Sequence, residues 1–345
     1  MRRAPEPQAI LTPITEAAIF LTLAVDPGAE DEARDALADV SALKRSVGFR
    51  IPEAELSCVV GIGDPAWDRL FGAPRPAGLH PFPGFAGPRH TAPATPGDLL
   101  FHIRAHRLDL CFELAQRLTE RLRASAHVVD EVHGFRSFDE RDMLGFVDGT
   151  ENPEGGAASA AVLVGEEDEA FAGGSYVVVQ KYVHDLDTWG ALSVEDQERA
   201  IGRTKLSDLE FPDELKLPNS HLALNTIVDD DGNEHKIMRF NMPFGSVGDR
   251  EFGTYFIGYV ADTDVIEQML SNMFLGKPPG NHDRILDFST ALTGNLFFVP
   301  AAGFLDDPPT PGAADAPAPG ASVPADSPAS APDGSLGIGS LKPAP

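Results

Sequence analysis

The chain of 345 residues is 42% hydrophobic and 23% charged, the composition of a globular protein with length for two ordinary domains or one large one. A formal net charge of −26 repels phosphate backbones and anionic lipid, which argues against nucleic acid and membrane surfaces as partners. Cys58 and Cys111 sit in apolar runs without CxxC spacing, so they support neither a disulfide framework nor a zinc site and read as small buried hydrophobes.

The N-terminus MRRAPEPQ carries paired arginines, but Pro5, Glu6, Pro7 and Gln8 interrupt any apolar export segment. The run at 18–25 is too short to cross a bilayer, and a cytoplasmic protein is expected. Residues 18–27 predict a strand, 30–46 a helix with Ala, Leu and Val at helical spacing, and 55–63 a second strand. A strand at 98–107 leads into a helix at 109–122, and 127–135 forms another strand. The second half repeats this order: strand 175–185, helix 188–201, strand 236–244, strand 253–262 and helix 263–274. Two βαββαβ halves predict an α+β protein of two duplicated ferredoxin-like domains, each with helices over one face of an antiparallel sheet. The expected boundaries are 1–150 for the first domain and 151–305 for the second. From Asp306 the composition changes: residues 306–332 are dominated by Pro and Ala and form a disordered, extended linker. A short apolar segment, 333–345, follows it, with Leu336, Ile338 and Leu341.

The most informative stretch is GFVDGTENP at 145–153, a tight loop following a strand in which Gly145, Gly149, Asn152 and Pro153 constrain the backbone around Asp148. By pattern alone, Asp148 reads first as a turn aspartate capping its own loop. Downstream stand His221 in LPNSHLALN and Arg239 and Asn241 in MRFNMPFG. Residues two apart on a strand point to one face, which puts Arg239 and Asn241 side by side.

This set resembles the dye-decolorizing peroxidase family, in its compact bacterial B-type branch. The resemblance rests on Gly145, Asp148 and Gly149, on His221, on Arg239 and Asn241, and on DRILDFSTALTGNLFFVP at 283–300, in order through residues 15–305. It implies two ferredoxin-like domains, with one haem b per chain in the second. It also implies a peroxidase that reduces hydrogen peroxide and oxidises organic donors such as dyes and phenolics through a ferryl intermediate. His221 is then the axial iron ligand. An imidazole on iron needs an acceptor behind it to fix its tautomer. In the family a carboxylate does this, and Asp283 is the choice here, with Asp287 the alternative. Asp148 is suited to relay a proton between the peroxide oxygens, and Arg239, which keeps its charge, to stabilise the leaving oxygen. Asn241 is suited to orient a distal water or the arginine. Trp67, Trp189, Tyr176, Tyr182, Tyr255 and Tyr259 are candidates to carry electrons to a bulky donor, and none is singled out.

Residues 333–341, DGSLGIGSL, resemble the targeting peptide that packages such peroxidases into encapsulin nanocompartments, with Leu336, Ile338 and Leu341 filling apolar pockets of the shell protein. The localisation expected is cytoplasmic, inside such a shell, with the cargo a homo-oligomer. Two other readings stay open at this point: a protein that binds or strips haem without turnover, and an α+β interaction module with no cofactor.

Overall fold

The computed structural model of the chain describes residues 5–311. The first half runs β1 (Ala17–Val25), α1 (Glu30–Ala38), α2 (Val40–Gly48), β2 (Ser57–Gly63), α3 (Asp64–Leu70), β3 (Phe85–Ala86), β4 (Thr91–Ala92), β5 (Leu99–Ala105), α4 (Leu108–Leu122) and β6 (Ala126–Phe135). The second runs α5 (Gly155–Val162), β7 (Ser175–His184), α6 (Leu186–Gly190), α7 (Val194–Ile201), α8 (His221–Asn225), β8 (Ile227–Val228) and β9 (Glu234–His235). It continues through β10 (Met238–Arg239), β11 (Met242–Ser246), β12 (Glu251–Val260), α9 (Thr263–Phe274), β13 (Ser289–Ala291), β14 (Asn295–Val299) and α10 (Ala302–Asp306).

Local chemistry accounts for the two long helices. In α4 the buried residues Leu110, Cys111, Leu114, Ala115, Leu118 and Leu122 recur every three or four positions. In α9, Ile266, Met269, Leu270, Met273 and Phe274 do the same, and the Asp262 side chain caps its N-terminus by accepting from the Asp264 N–H. The expected helices at 30–46 and 188–201 are each two shorter ones, parted at Asp39 and at residues 191–193.

The main sheet has ten strands in the order β10–β12–β7–β14–β2–β5–β1–β6, with β11 on β12 and β13 on β7, and every pairing is antiparallel. Each half places its fourth strand beside its first, then its third, then its second, which is the ferredoxin-like order in both copies. The halves fuse where Phe297 and Phe298 of β14 pair with Gly63 and Ile62 of β2.

Both faces of this sheet are buried. Ile19, Leu21, Val60, Phe101, Val178 and Phe298 pack under the helices. Their alternates Phe20, Val59, Leu100, Val177, Val179, Phe297 and Val299 meet Met242, Phe244, Tyr255 and Ile257 in a second core on the other face. That second core forms because the sheet curls until β6 lies against β11. At that contact a Cβ on Gly134 would stand 2.4 Å from the Met242 Cβ, so only glycine fits. Double-sided burial explains why β1 and β2 read as nearly continuous apolar runs. Trp67, Trp189, Tyr176, Tyr182, Tyr255 and Tyr259 are all buried.

Trp67 of α3 binds the halves together: it is fully buried and stacks on Phe304 and edge-on against Phe71, Phe171 and Phe298. Trp67→Ala should lower unfolding stability by about 3–5 kcal/mol. Chemical denaturation checks this; a loss under about 1 kcal/mol would show that α10 and the 171 loop repack into the space.

Candidate functional site

Segments far apart in the chain line one cavity of about 380 Å³. The sheet supplies Gln180, Tyr182 and His184, alternating along β7, with Thr254 and Phe256 from β12. The helices supply His221 and Asn225 from α8, and Ile266, Met269, Leu270 and Met273 from α9. The 142–151 loop and the β10–β11 junction add Asp148, Arg239 and Asn241.

His221 opens α8 directly after Ser220, whose hydroxyl accepts from the Ala223 N–H. Its Nδ1 lies 2.7 Å from Oδ2 of Asp283. The Asp283 side chain is wholly inaccessible, whereas His221 keeps about a quarter of its surface. The other carboxylate oxygen, Oδ1, accepts from the Ile285 N–H and caps the helical turn Arg284–Asp287. Both oxygens are therefore committed, and the imidazole donates through Nδ1 and presents Nε2. Asn225, four residues after His221 on the same helix, donates to the His221 carbonyl at 2.7 Å and to Asp283 Oδ2 at 3.3 Å. Sequence reasoning passed over Asn225, although i to i+4 spacing marks it as a neighbour. Asp287 stands elsewhere, accepting from His282 and His90.

The Asp148 loop does not follow β6 at once; residues 136–144 intervene, and an isolated bridge pairs Arg141 with Val147. Gly145 and Gly149 adopt φ of 90° and 87°, and a Cβ on Gly145 would sit 2.5 Å from Lys205 Cε. Asp142 organises the turn, its Oδ1 accepting from the Leu144 and Phe146 N–H groups at 2.9 and 3.0 Å. Asn152 then ties this loop to β10. Its Nδ2 donates to the Arg239 carbonyl at 2.8 Å, and its Oδ1 accepts from the Arg239 N–H at 2.9 Å.

The expected unbroken strand at 236–244 is interrupted between β10 and β11. Phe240 N–H still donates to the Ile257 carbonyl, but the Ile257 N–H donates to the Asn241 side chain at 3.1 Å, so an amide oxygen takes the place of a ladder carbonyl. The same Asn241 side chain donates through Nδ2 to Asp148 Oδ1 at 3.3 Å. Asn241 thus links the carboxylate to the sheet.

Two neighbours set the polarity of the wall. Burial holds the His184 imidazole down at about 4, so it is neutral, and it is bonded to Ser289 Oγ at 2.8 Å and Thr254 Oγ1 at 2.9 Å. Tyr182 donates to Gln180 Oε1 at 2.9 Å, while Gln180 Nε2 is, among the described residues, a buried donor without a partner. At the rim, Lys236 pairs with Glu151, Arg203 with Glu151 and Asp208, and Lys216 with Glu210 and Asp213. This donor set fits haem: an imidazole with a fixed tautomer, an apolar helical wall and an unpaired buried amide.

A backed imidazole, with an acid and a guanidinium lining the same cavity, suits reduction of a peroxide, and a peroxidase is the class that fold and site together define. Residues 7–136 match the Dyp-type peroxidase N-terminal model and residues 139–304 the C-terminal one, so the chain belongs to the Dyp-type peroxidase family. It is 60% identical to the dye-decolorizing peroxidase of Rhodococcus erythropolis over 337 residues, covering 97% of each chain. It is 59% identical to that of Mycobacterium tuberculosis over 342 residues, 99% of this chain and 98% of the relative. The cryo-EM structure of the encapsulated DyP-type peroxidase from Mycobacterium smegmatis superposes with a TM-score of 0.87 at 60% identity, covering 89% of this chain and 99% of that one. A variant of Rhodococcus jostii RHA1 DypB in complex with haem gives 0.86 at 55% identity, covering 88% and 99%.

Desolvation raises the Asp142 carboxyl from an ordinary 3.8 to about 6; the neighbouring Asp148 adds to this, and the backbone N–H groups oppose it. The folded state therefore binds a proton that the unfolded chain releases between these values, and stability falls as pH rises from about 4 to about 6. Asp142→Asn keeps the Oδ1 acceptor and removes the charge. It should raise stability at pH 7.5 by at most about 3 kcal/mol, less where cavity water reaches the group, and by almost nothing near pH 3. Melting curves at both pH values check this; an equal gain at both would refute the raised carboxyl.

Proposed function

We propose that the cavity holds one haem b per chain, whose iron His221 would bind, and that this enzyme reduces hydrogen peroxide at the expense of organic donors such as dyes and phenolics. The observation that carries the reading is the 2.7 Å bond from His221 Nδ1 to a fully buried carboxylate, Asp283. A carboxylate excluded from water and bonded to an imidazole suits a ligand whose other nitrogen faces a metal. When bound, the haem supplies an iron that engages the peroxide and takes up the oxidising equivalents passed to the donor.

The chain's own residues divide the remaining work. Asp283 keeps the proton on Nδ1 and strengthens Nε2 as a donor. Asp148 accepts a proton from the near oxygen of the peroxide and returns it to the departing one. Arg239 holds a permanent positive charge for the negative charge growing on that oxygen. Asn241 orients Asp148, and Asn152 fixes the backbone that carries Arg239. Arg203, Lys216 and Lys236 line the cavity and would hold the haem carboxylates by exchanging their present acidic partners. Burial of the six tryptophan and tyrosine candidates means that oxidation of a bulky donor by way of one of them would need a further step to the surface.

His221→Ala should lose haem or change its absorption spectrum, and Arg239→Leu should slow the reaction with hydrogen peroxide by at least ~10²-fold, as for other lost electrostatic stabilisers. Absorbance after rapid mixing reads both. A normal spectrum in the first variant, or parental rates in both Arg239→Leu and Asp148→Asn, would overturn the assignment. A protein that only binds or strips haem would show no peroxide-dependent change that a donor reverses.

We further propose that the enzyme is oligomeric cargo of an encapsulin shell, captured by the segment at 333–345. Leu336, Ile338, Leu341 and residues 312–332 of the linker lie outside the described residues, so the support is the sequence DGSLGIGSL and the likeness to a peroxidase described as encapsulated. Fully extended, the linker would reach ~80 Å at roughly 3.1 Å per residue, enough for a folded body to hang from a bound tail. Co-expression with a shell protein should load the full chain and leave a chain ending at Pro332 outside, with its haem and activity intact. Equal loading of the two forms would remove the tail's role.

A further inference from the structure

Among the described residues, one group of three metal-ligating side chains stands apart from the cavity: His90, His282 and Asp287. His90 Nε2 lies 3.2 Å and His282 Nε2 3.0 Å from the same carboxylate oxygen, Asp287 Oδ1, and the ligand atoms all lie within 4.8 Å of one another. In a tetrahedral site with bonds of about 2.0–2.1 Å, neighbouring ligand atoms are about 3.3 Å apart. Both histidine–carboxylate separations are therefore close to such an edge.

Each ligand is held by backbone rather than left on a free loop. His90 ends the turn between β3 and β4, where its carbonyl accepts from Gly87 N–H. A Cβ on Gly87 would meet the Phe274 carbonyl oxygen at 1.9 Å, so glycine lets this turn lie directly on the end of α9. His282 precedes Asp283, whose N–H donates to the Met273 carbonyl of the same helix. Asp287 closes the turn that Asp283 caps. The side chains keep 23%, 12% and 33% of their surface for His90, His282 and Asp287, which leaves one side open to solvent.

We propose that His90, His282 and Asp287 form a binding site for one divalent cation of the zinc class, with solvent as the fourth ligand. Two imidazoles and one carboxylate in a compact, partly exposed cluster are the donor set such ions prefer, and calcium or magnesium would want more oxygens. Binding requires each Nε2 to present its lone pair, so the proton now directed at Asp287 moves to Nδ1 or leaves to solvent. The cation would clip the β3–β4 turn of the first half to the segment of the second half that carries Asp283. The site does not depend on haem occupancy or on the roles of Asp148 and Arg239.

The test uses the haem-loaded full chain without an affinity tag, equilibrated with zinc sulfate against a chromophoric chelator. One zinc per chain should bind, with affinity reduced at least ~10-fold in His90→Ala and in His282→Ala and unchanged in His127→Ala, a surface histidine on β6. Zinc should also raise the melting temperature of the parent and not of His90→Ala, since only a ligand of the folded state stabilises it. His90 lies on an exposed turn, so its variant reads the site even if His282→Ala folds poorly. Failure to bind one zinc per chain, or equal affinity in the parent and His90→Ala, overturns the proposal and leaves a hydrogen-bonded triad only.

Discussion

Burial of both faces of one ten-stranded sheet is the constraint on which the rest of this molecule depends. A ferredoxin-like half covers one face of its sheet with helices and leaves the other apolar. Here the two open faces become a single interior, because β14 joins β2 edge to edge and the curl brings β6 against β11. Removing this much apolar surface from water is the dominant favourable contribution to such a fold. It also has a cost in polar accommodation: Arg104 lies fully buried in this interior with its charge over the Phe240 ring at 4.3 Å, donating to the Ala9 carbonyl and to Thr12 Oγ1. Desolvation lowers its pKa from the ordinary value, and no carboxylate is paired with it among the described ion pairs.

The cavity exists because the second half departs from the regularity of the first. Between β7 and β10 the chain builds three short helices and a small hairpin, where the first half links β1 to β2 by α1 and α2 alone among its α-helices. The gap this leaves beside β7 and β12 is lined by alternate sheet residues and by α9. Its polar groups are held by partners chosen for rigidity. Asp283 spends one oxygen on the His221 imidazole and the other on a backbone N–H, and Asn152 holds Arg239 by both peptide groups. Such second contacts leave the ligand and the charge little freedom to relax, which is what peroxide chemistry requires of its surroundings.

The segment from His282 to Asp287 serves two neighbourhoods at once. Asp283 points inward to His221, and His282 and Asp287 point outward to His90. Burial would raise the Asp287 carboxyl, but hydrogen bonds from His282 and His90 more than offset this and hold it below its ordinary range. The split follows from position in the turn: Asp283 precedes it as an extended cap, and Asp287 is its last residue.

Much of this was legible without coordinates. The repeat of strand and helix through the two halves and the glycine-constrained loop around Asp148 follow from local periodicity and turn chemistry, which neighbouring residues carry by themselves. Tertiary structure decided what depends on pairing across distance. Sequence reasoning chose Asp283 and left Asp287 as the alternative, and packing of the 283–287 turn brings Asp283 to His221 and Asp287 to His90. Fusion of the sheets through β14 and β2 is likewise invisible in sequence, as is the Asn152 clamp, because an edge strand and an amide in a turn carry no mark of their partner. Local spacing states which residues can share a face; long-range register decides which face they meet.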